Sequence, residues 1–119
     1  MLRDTEIWQI VFVTTSTKEE ADRIADALIR NRLAACVQVL PGIESVFWWK
    51  DQIQRESEHL MLIKSAARCF DELEKTVRTL HSYDTPEIVS IDLSAISKPY
   101  RDWLSATLRT STDKSELEI

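Results

Sequence analysis

Glycine is all but missing from this chain: Gly42 is the single one among 119 residues. A Walker-type phosphate loop, a dinucleotide fingerprint and a nucleophile elbow each need two or more glycines at fixed spacing. None of the three can be built here, so enzymes that depend on them are excluded. Cysteine is nearly as scarce. Cys36 and Cys69 stand far apart and form no CxxC pair, so they read as small reduced apolar residues in a cytosolic, cytoplasmic setting. No apolar run approaches the roughly 20 residues of a membrane span. Met1-Leu2-Arg3-Asp4-Thr5-Glu6 carries both signs of charge, unlike a secretory leader. Basic excess is absent too: the net charge of -5 argues against nucleic acid, whose binding rests on clustered Lys and Arg. The expectation is no nucleic-acid and no membrane partner.

What is present is an ordinary globular balance, 44% apolar and 29% charged, enough for one domain with a modest core. We expect that core over residues 7–108 and a polar, fraying tail over 109–119. Residues 7–14 are β-branched and aromatic with apolar residues on both faces, the pattern of a central strand. Ser16 and Thr17, each with a Glu three residues on (Glu19, Glu20), form two overlapping capping boxes. Ala21, Ile24, Ala25, Leu28 and Ile29 then follow a helical period. Residues 35–40 read as a strand broken by a turn or bulge at Pro41-Gly42. Residues 43–49 and 53–64 form a long hairpin around Lys50-Asp51-Gln52, a turn without the favoured Asn-Gly or Asp-Gly pair. A second helix covers 68–80 with Phe70, Leu73, Val77 and Leu80 on its apolar stripe. Residues 87–94 make a strand, with Val89, Ile91 and Leu93 inward and Ser90 and Asp92 outward. A last helix starts at Ser97-Lys98-Pro99, its apolar side formed by Tyr100, Trp103, Leu104 and Leu108. The order βαββαβ plus a terminal helix predicts an α+β, ferredoxin-like antiparallel sheet with helices on one face.

The hairpin is too long for one such domain. Twelve residues of strand reach about 40 Å at ~3.3 Å each, and Trp48 and Trp49, being adjacent, point to opposite faces. Helices cover one face only. Closed self-association is the physical answer, the alternative being that the terminal helix folds over the arm.

Chemistry concentrates in His81-Ser82-Tyr83-Asp84-Thr85-Pro86-Glu87, where donors that bind divalent metals or move protons fall between helix and strand. His81 either bonds the last carbonyls of its helix or serves as a ligand. Glu87 is either a surface charge or, with Tyr83, a contact in a cleft between copies. Lys64 is an edge-strand gatekeeper or an anion contact. His59 reads as an ordinary strand residue, and Glu44, Glu56 and Glu58 as the solvated side of the hairpin.

Val11-Phe12-Val13-Thr14-Thr15-Ser16, Arg32-Leu33-Ala34-Ala35-Cys36-Val37, Pro41-Gly42-Ile43-Glu44-Ser45, Phe47-Trp48-Trp49, Lys64, the segment from His81 to Ile88 and Tyr100-Arg101-Asp102-Trp103-Leu104 together resemble the CutA family of divalent-cation tolerance proteins. The resemblance implies a stable homotrimer tied to copper and other divalent ions. It implies His81 and Glu87 as metal positions, and a likeness to trimers of nitrogen-regulatory signalling. The alternative to metal binding is a non-catalytic module that binds a small anionic or nucleotide-like ligand in clefts between copies, lined by Tyr83, Lys64 and Glu87. Thr14 falls where some members carry a Cys ligand. A hydroxyl replaces thiolate poorly for Cu(I), so the remaining imidazole and carboxylate suit Cu(II) or Zn(II) at low affinity. A Gly frequent near Asp51 in the family is also absent, which implies a different hairpin turn. Catalysis is not expected. The acylphosphatases of this fold need a glycine-rich anion loop with an Arg and a positioned Asn, yet Asn31 is the only asparagine and 14–17 holds neither Gly nor Arg.

Overall fold

The computed structural model describes residues 6–110 and 116–118. Its elements are β1 (Trp8–Thr15), α1 (Lys18–Arg30), β2 (Cys36–Trp49), β3 (Gln52–Ala66), a 3₁₀ turn (Ala67–Cys69), α2 (Phe70–Leu80), β4 (Ile88–Asp92) and α3 (Lys98–Thr107). The four strands form one antiparallel sheet in the order β2-β3-β1-β4, the ferredoxin-like plan expected above. β1 is central, as its two apolar faces require.

Local chemistry places the breaks. Thr17 caps α1, its hydroxyl accepting the Glu20 N–H. The reciprocal half of the capping box is missing, because the Glu20 carboxylate leaves its own helix for the Ser82 N–H. A register shift between Leu40 and Ile43 puts the bulge at Pro41-Gly42, and Gly42 takes a φ of 72°, open to glycine at no steric cost. Lys50 and Asp51 both have positive φ, 52° and 62°. That is the type I′ signature which matches the twist of a two-residue hairpin. The two-residue turn is therefore made without glycine.

The core lies between one sheet face and the helices. Val11, Val13, Met61 and Ile63 meet Ala21, Ile24 and Leu28 of α1, Leu73 and Val77 of α2, and Leu104 and Leu108 at α3. β4 corrects our assignment of faces. Val89 pairs with Phe12 and Ile91 with Ile10, and both lie half exposed on the helix-free face. Ile88, opposite the buried Val13, packs on the core, and so does Leu93 as expected, just beyond the strand. Alternation tells which residues share a face; it does not tell which face the helices cover.

β2 and β3 run 14 and 15 residues, and the molecule is 51 Å long but 23 Å thick. The projecting arm leaves Trp48 71%, Ile53 60% and Trp49 52% exposed. α3 therefore does not cover it. Tyr100 and Trp103 of α3 are exposed too, stacked with ring centres 5.5 Å apart. The fraying tail is also corrected in part: Arg109 is buried, its N–H bonds Arg32 O, and Glu118 is held by Asn31. Positions 111–115 and 119 of that expected tail lie outside the described residues.

Candidate functional site

The segment that follows α2 is pinned from two sides. His81 ends the helix in extended backbone, and its side chain is fully buried. The Tyr83 N–H, which can only donate, bonds His81 Nδ1 at 3.1 Å. The proton therefore sits on Nε2, which donates to the Thr14 carbonyl at 2.7 Å. This neutral tautomer follows from the network. Glu20 Oε2 stands 3.8 Å from Nδ1, but Nδ1 carries no proton to share, so the contact is not an ion pair. Glu20 instead accepts the Ser82 N–H at 2.5 Å. Two buried side chains thus hold two successive backbone amides, and Tyr83 is delivered to one place.

That place is Glu58. The Tyr83 hydroxyl donates to Glu58 Oε2 at 2.9 Å and the Ser45 hydroxyl to Oε1 at 2.6 Å. Glu58 is only 5% exposed, which corrects its reading as a solvated hairpin residue. No strand pattern announces this, since Glu56 shares the parity of Glu58 and is exposed; the partners Tyr83 and Ser45 lie 25 and 13 positions away. Glu44 and Glu56 are exposed as expected. Burial and the Glu58 hydrogen bond push the Tyr83 phenol up to about 12, so it stays a donor at all physiological pH.

Glu87 is exposed nearby, its carboxyl raised first by partial burial and then by the Glu58 charge. A raised value means that the native chain keeps this proton to higher pH than the unfolded chain does. Stability from it is complete below the ordinary carboxylate range and is lost as pH rises through that range to the raised value. Glu87→Gln is expected to melt above wild type at pH 7 and together with it near pH 4, as differential scanning calorimetry will read.

One chain offers a metal ion an incomplete set. Among the described residues no three His, Cys, Asp or Glu converge on a common point, and the one imidazole lone pair of His81 is taken by Tyr83. Thr14 contributes its carbonyl, so its side chain does not decide that bond. Lys64 lies elsewhere: it pairs with Ile10 and Cys36 and donates to Gln38 Oε1 at 2.6 Å. Six positions along β3 separate it from Glu58, about 20 Å at ~3.3 Å per residue. His59 is a half-buried strand residue opposite Thr15. Cys69 is buried and Cys36 half buried. A polar pocket of about 420 Å³ opens beside the segment, lined by Lys75, Arg78, Thr79, His81, Ser82, Tyr83 and Asp84. Among the described residues no helix is long and apolar enough to cross a membrane.

Comparison with known proteins adds the following. The family described as CutA1 divalent ion tolerance protein matches residues 9–107. The protein CutA 1, chloroplastic, of Oryza sativa subsp. japonica is 38% identical over 102 residues, 86% of this chain and 58% of its own length. The chain therefore spans little more than half of that relative. The divalent-cation tolerance protein CutA of Thermus thermophilus is 38% identical over 96 residues, 81% of this chain and 93% of that one. The solved periplasmic divalent cation tolerance protein CutA from Archaeoglobus fulgidus superposes with a TM-score of 0.83 at 36% identity, covering 86% of this chain and 99% of its own.

Proposed function

The chain belongs to the CutA1 divalent ion tolerance family, and on that premise we propose that it is a cytoplasmic homotrimer serving divalent-metal tolerance, copper above all, by binding cations weakly in clefts between copies. The observation that carries this reading is the buried Glu58 carboxylate held by Tyr83, with Glu87, its carboxyl raised by partial burial and then by the Glu58 charge, in the same segment. A cation relieves that repulsion. Glu87 and His81 are the metal donors, and the bound Nδ1 of His81 accounts for low affinity, since a metal must displace the Tyr83 N–H to reach it. Imidazole with carboxylate suits Cu(II) or Zn(II). The protein acts by binding and not by catalysis. Copies join through the hairpin arms, and donors missing from one chain come from its neighbour.

Titration calorimetry with Cu(II) on chelator-treated protein tests the site. We expect a weak exothermic isotherm for wild type and a flat one for both His81→Ala and Glu87→Gln. An unchanged isotherm in either variant removes that residue from the site.

A second reading has one observation in its favour, the Lys75 and Arg78 side chains in the pocket beside Tyr83. They suit a small anionic or nucleotide-like ligand, in the manner of nitrogen-regulatory trimers, with Lys64 supplied by a neighbouring copy. A thermal-shift screen of metabolites on metal-free protein separates the two readings.

A further inference from the structure

Asn31 is the only asparagine of the chain and the C-cap of α1. It is 7% exposed. One side-chain N–H bonds Ala27 O at 2.7 Å. The rest of the amide meets a single distant residue in both directions, donating to Glu118 O and accepting the Glu118 N–H. A carboxamide has the donor and acceptor of a peptide group, so this pairing imitates one rung of a β-ladder. Beside it Leu117 is half buried against the core cluster, while the Glu116 and Glu118 side chains face solvent. The contact therefore reads backbone and one aliphatic side chain, the two elements of extended-peptide recognition. Charge agrees: Asn31 is flanked by exposed Arg30 and Arg32, and Leu117 by two glutamates. Thr107 O and Arg109 N–H, both bonded to Arg32, bring the chain back to this end of α1.

We propose that the C-cap of α1 is a docking site for an extended acidic peptide, filled here by this chain's own residues 116–118. The occupying residues lie outside the span that matches the family, whereas Asn31 lies within it; the contact uses none of the proposed metal donors.

Residue-resolved hydrogen exchange on the full chain tests it. The Glu118 amide is expected to exchange at least about tenfold slower than the same sequence unstructured. Leu117→Asp is expected to abolish that protection while leaving the Val11 and Met61 amides protected. Asn31→Ala should act alike at Glu118; because it also alters the cap of α1, Leu117→Asp is the deciding variant. A labelled peptide of residues 112–119 is then expected to bind the Leu117→Asp chain and not wild type, where the site is filled. An unprotected Glu118 amide in wild type, protection that survives Leu117→Asp, or failure of the peptide to distinguish the two chains overturns the proposal. Protection that falls on dilution assigns the segment to a second copy and overturns the in-chain form.

Discussion

Sedimentation equilibrium at micromolar concentration is expected to return a multiple of 13.8 kDa for wild type, and that single mass for the double variant Trp48→Glu/Trp49→Glu. The two indoles are adjacent on β2 and face opposite ways, with 71% and 52% of their surface open in one chain. Each offers about 100 Å² of apolar area to a neighbour, and at about 25 cal/mol per Å² the pair contributes about 5 kcal/mol per copy. That is more than a thousandfold in association. Glutamates would in addition place like charges together in a dry contact. The helix-free sheet face adds to the demand for cover, with Leu40, Val89 and Ile91 each about half exposed and Phe12, Leu60 and Leu62 between them. Tryptophan emission provides a second readout: assembly should shift it to shorter wavelength, and dilution to a lone copy should reverse the shift. A wild-type chain that sediments at 13.8 kDa would refute the trimer.

His81→Ala is expected to lower the stability of the fold by about 3 kcal/mol in urea unfolding. The side chain is fully buried, so its loss opens a cavity. It also strands the Thr14 carbonyl and the Tyr83 N–H, each costing about 1–3 kcal/mol if water does not reach it. Tyr83 is then held only through Ser82 and Glu20, and its bond to Glu58 should weaken. His81→Gln separates positioning from coordination. A glutamine can donate to Thr14 O through its own Nε2, which should return part of the lost stability, yet it brings no imidazole. Metal affinity lost in Ala and regained in Gln would mark His81 as a positioning residue. Affinity lost in both would mark it as a ligand. Unfolding should be read at one fixed protein concentration, since assembly makes stability concentration-dependent.

Much of the fold was legible because it is set by short-range chemistry. The apolar period of α1, the hydroxyl of Thr17, the Pro41-Gly42 break and the length of the hairpin arm each act within a few residues of themselves. The chemistry-bearing segment was legible as well, since His81, Tyr83 and Glu87 fall between a helix pattern and Pro86. What could not be read was who meets whom. Glu20 looked like half of a capping box, but its carboxylate bonds an amide 62 positions away. Asn31 caps α1, and its amide also serves Glu118, 87 positions away. Within one chain Lys64 lies on a part of the sheet away from Tyr83, opposite Ile10 and Cys36.

The sequence by itself determined the strands, the helices, their order and the need of the tryptophan arm for cover, because period, capping and chain stiffness are local. Only the tertiary structure decided that Val89 and Ile91 face away from the helices, that Glu58 is buried under Tyr83 and that His81 spends both ring nitrogens on the backbone. Those outcomes depend on strand register and on contacts between residues far apart in the chain, where one step of register exchanges the two faces of a strand.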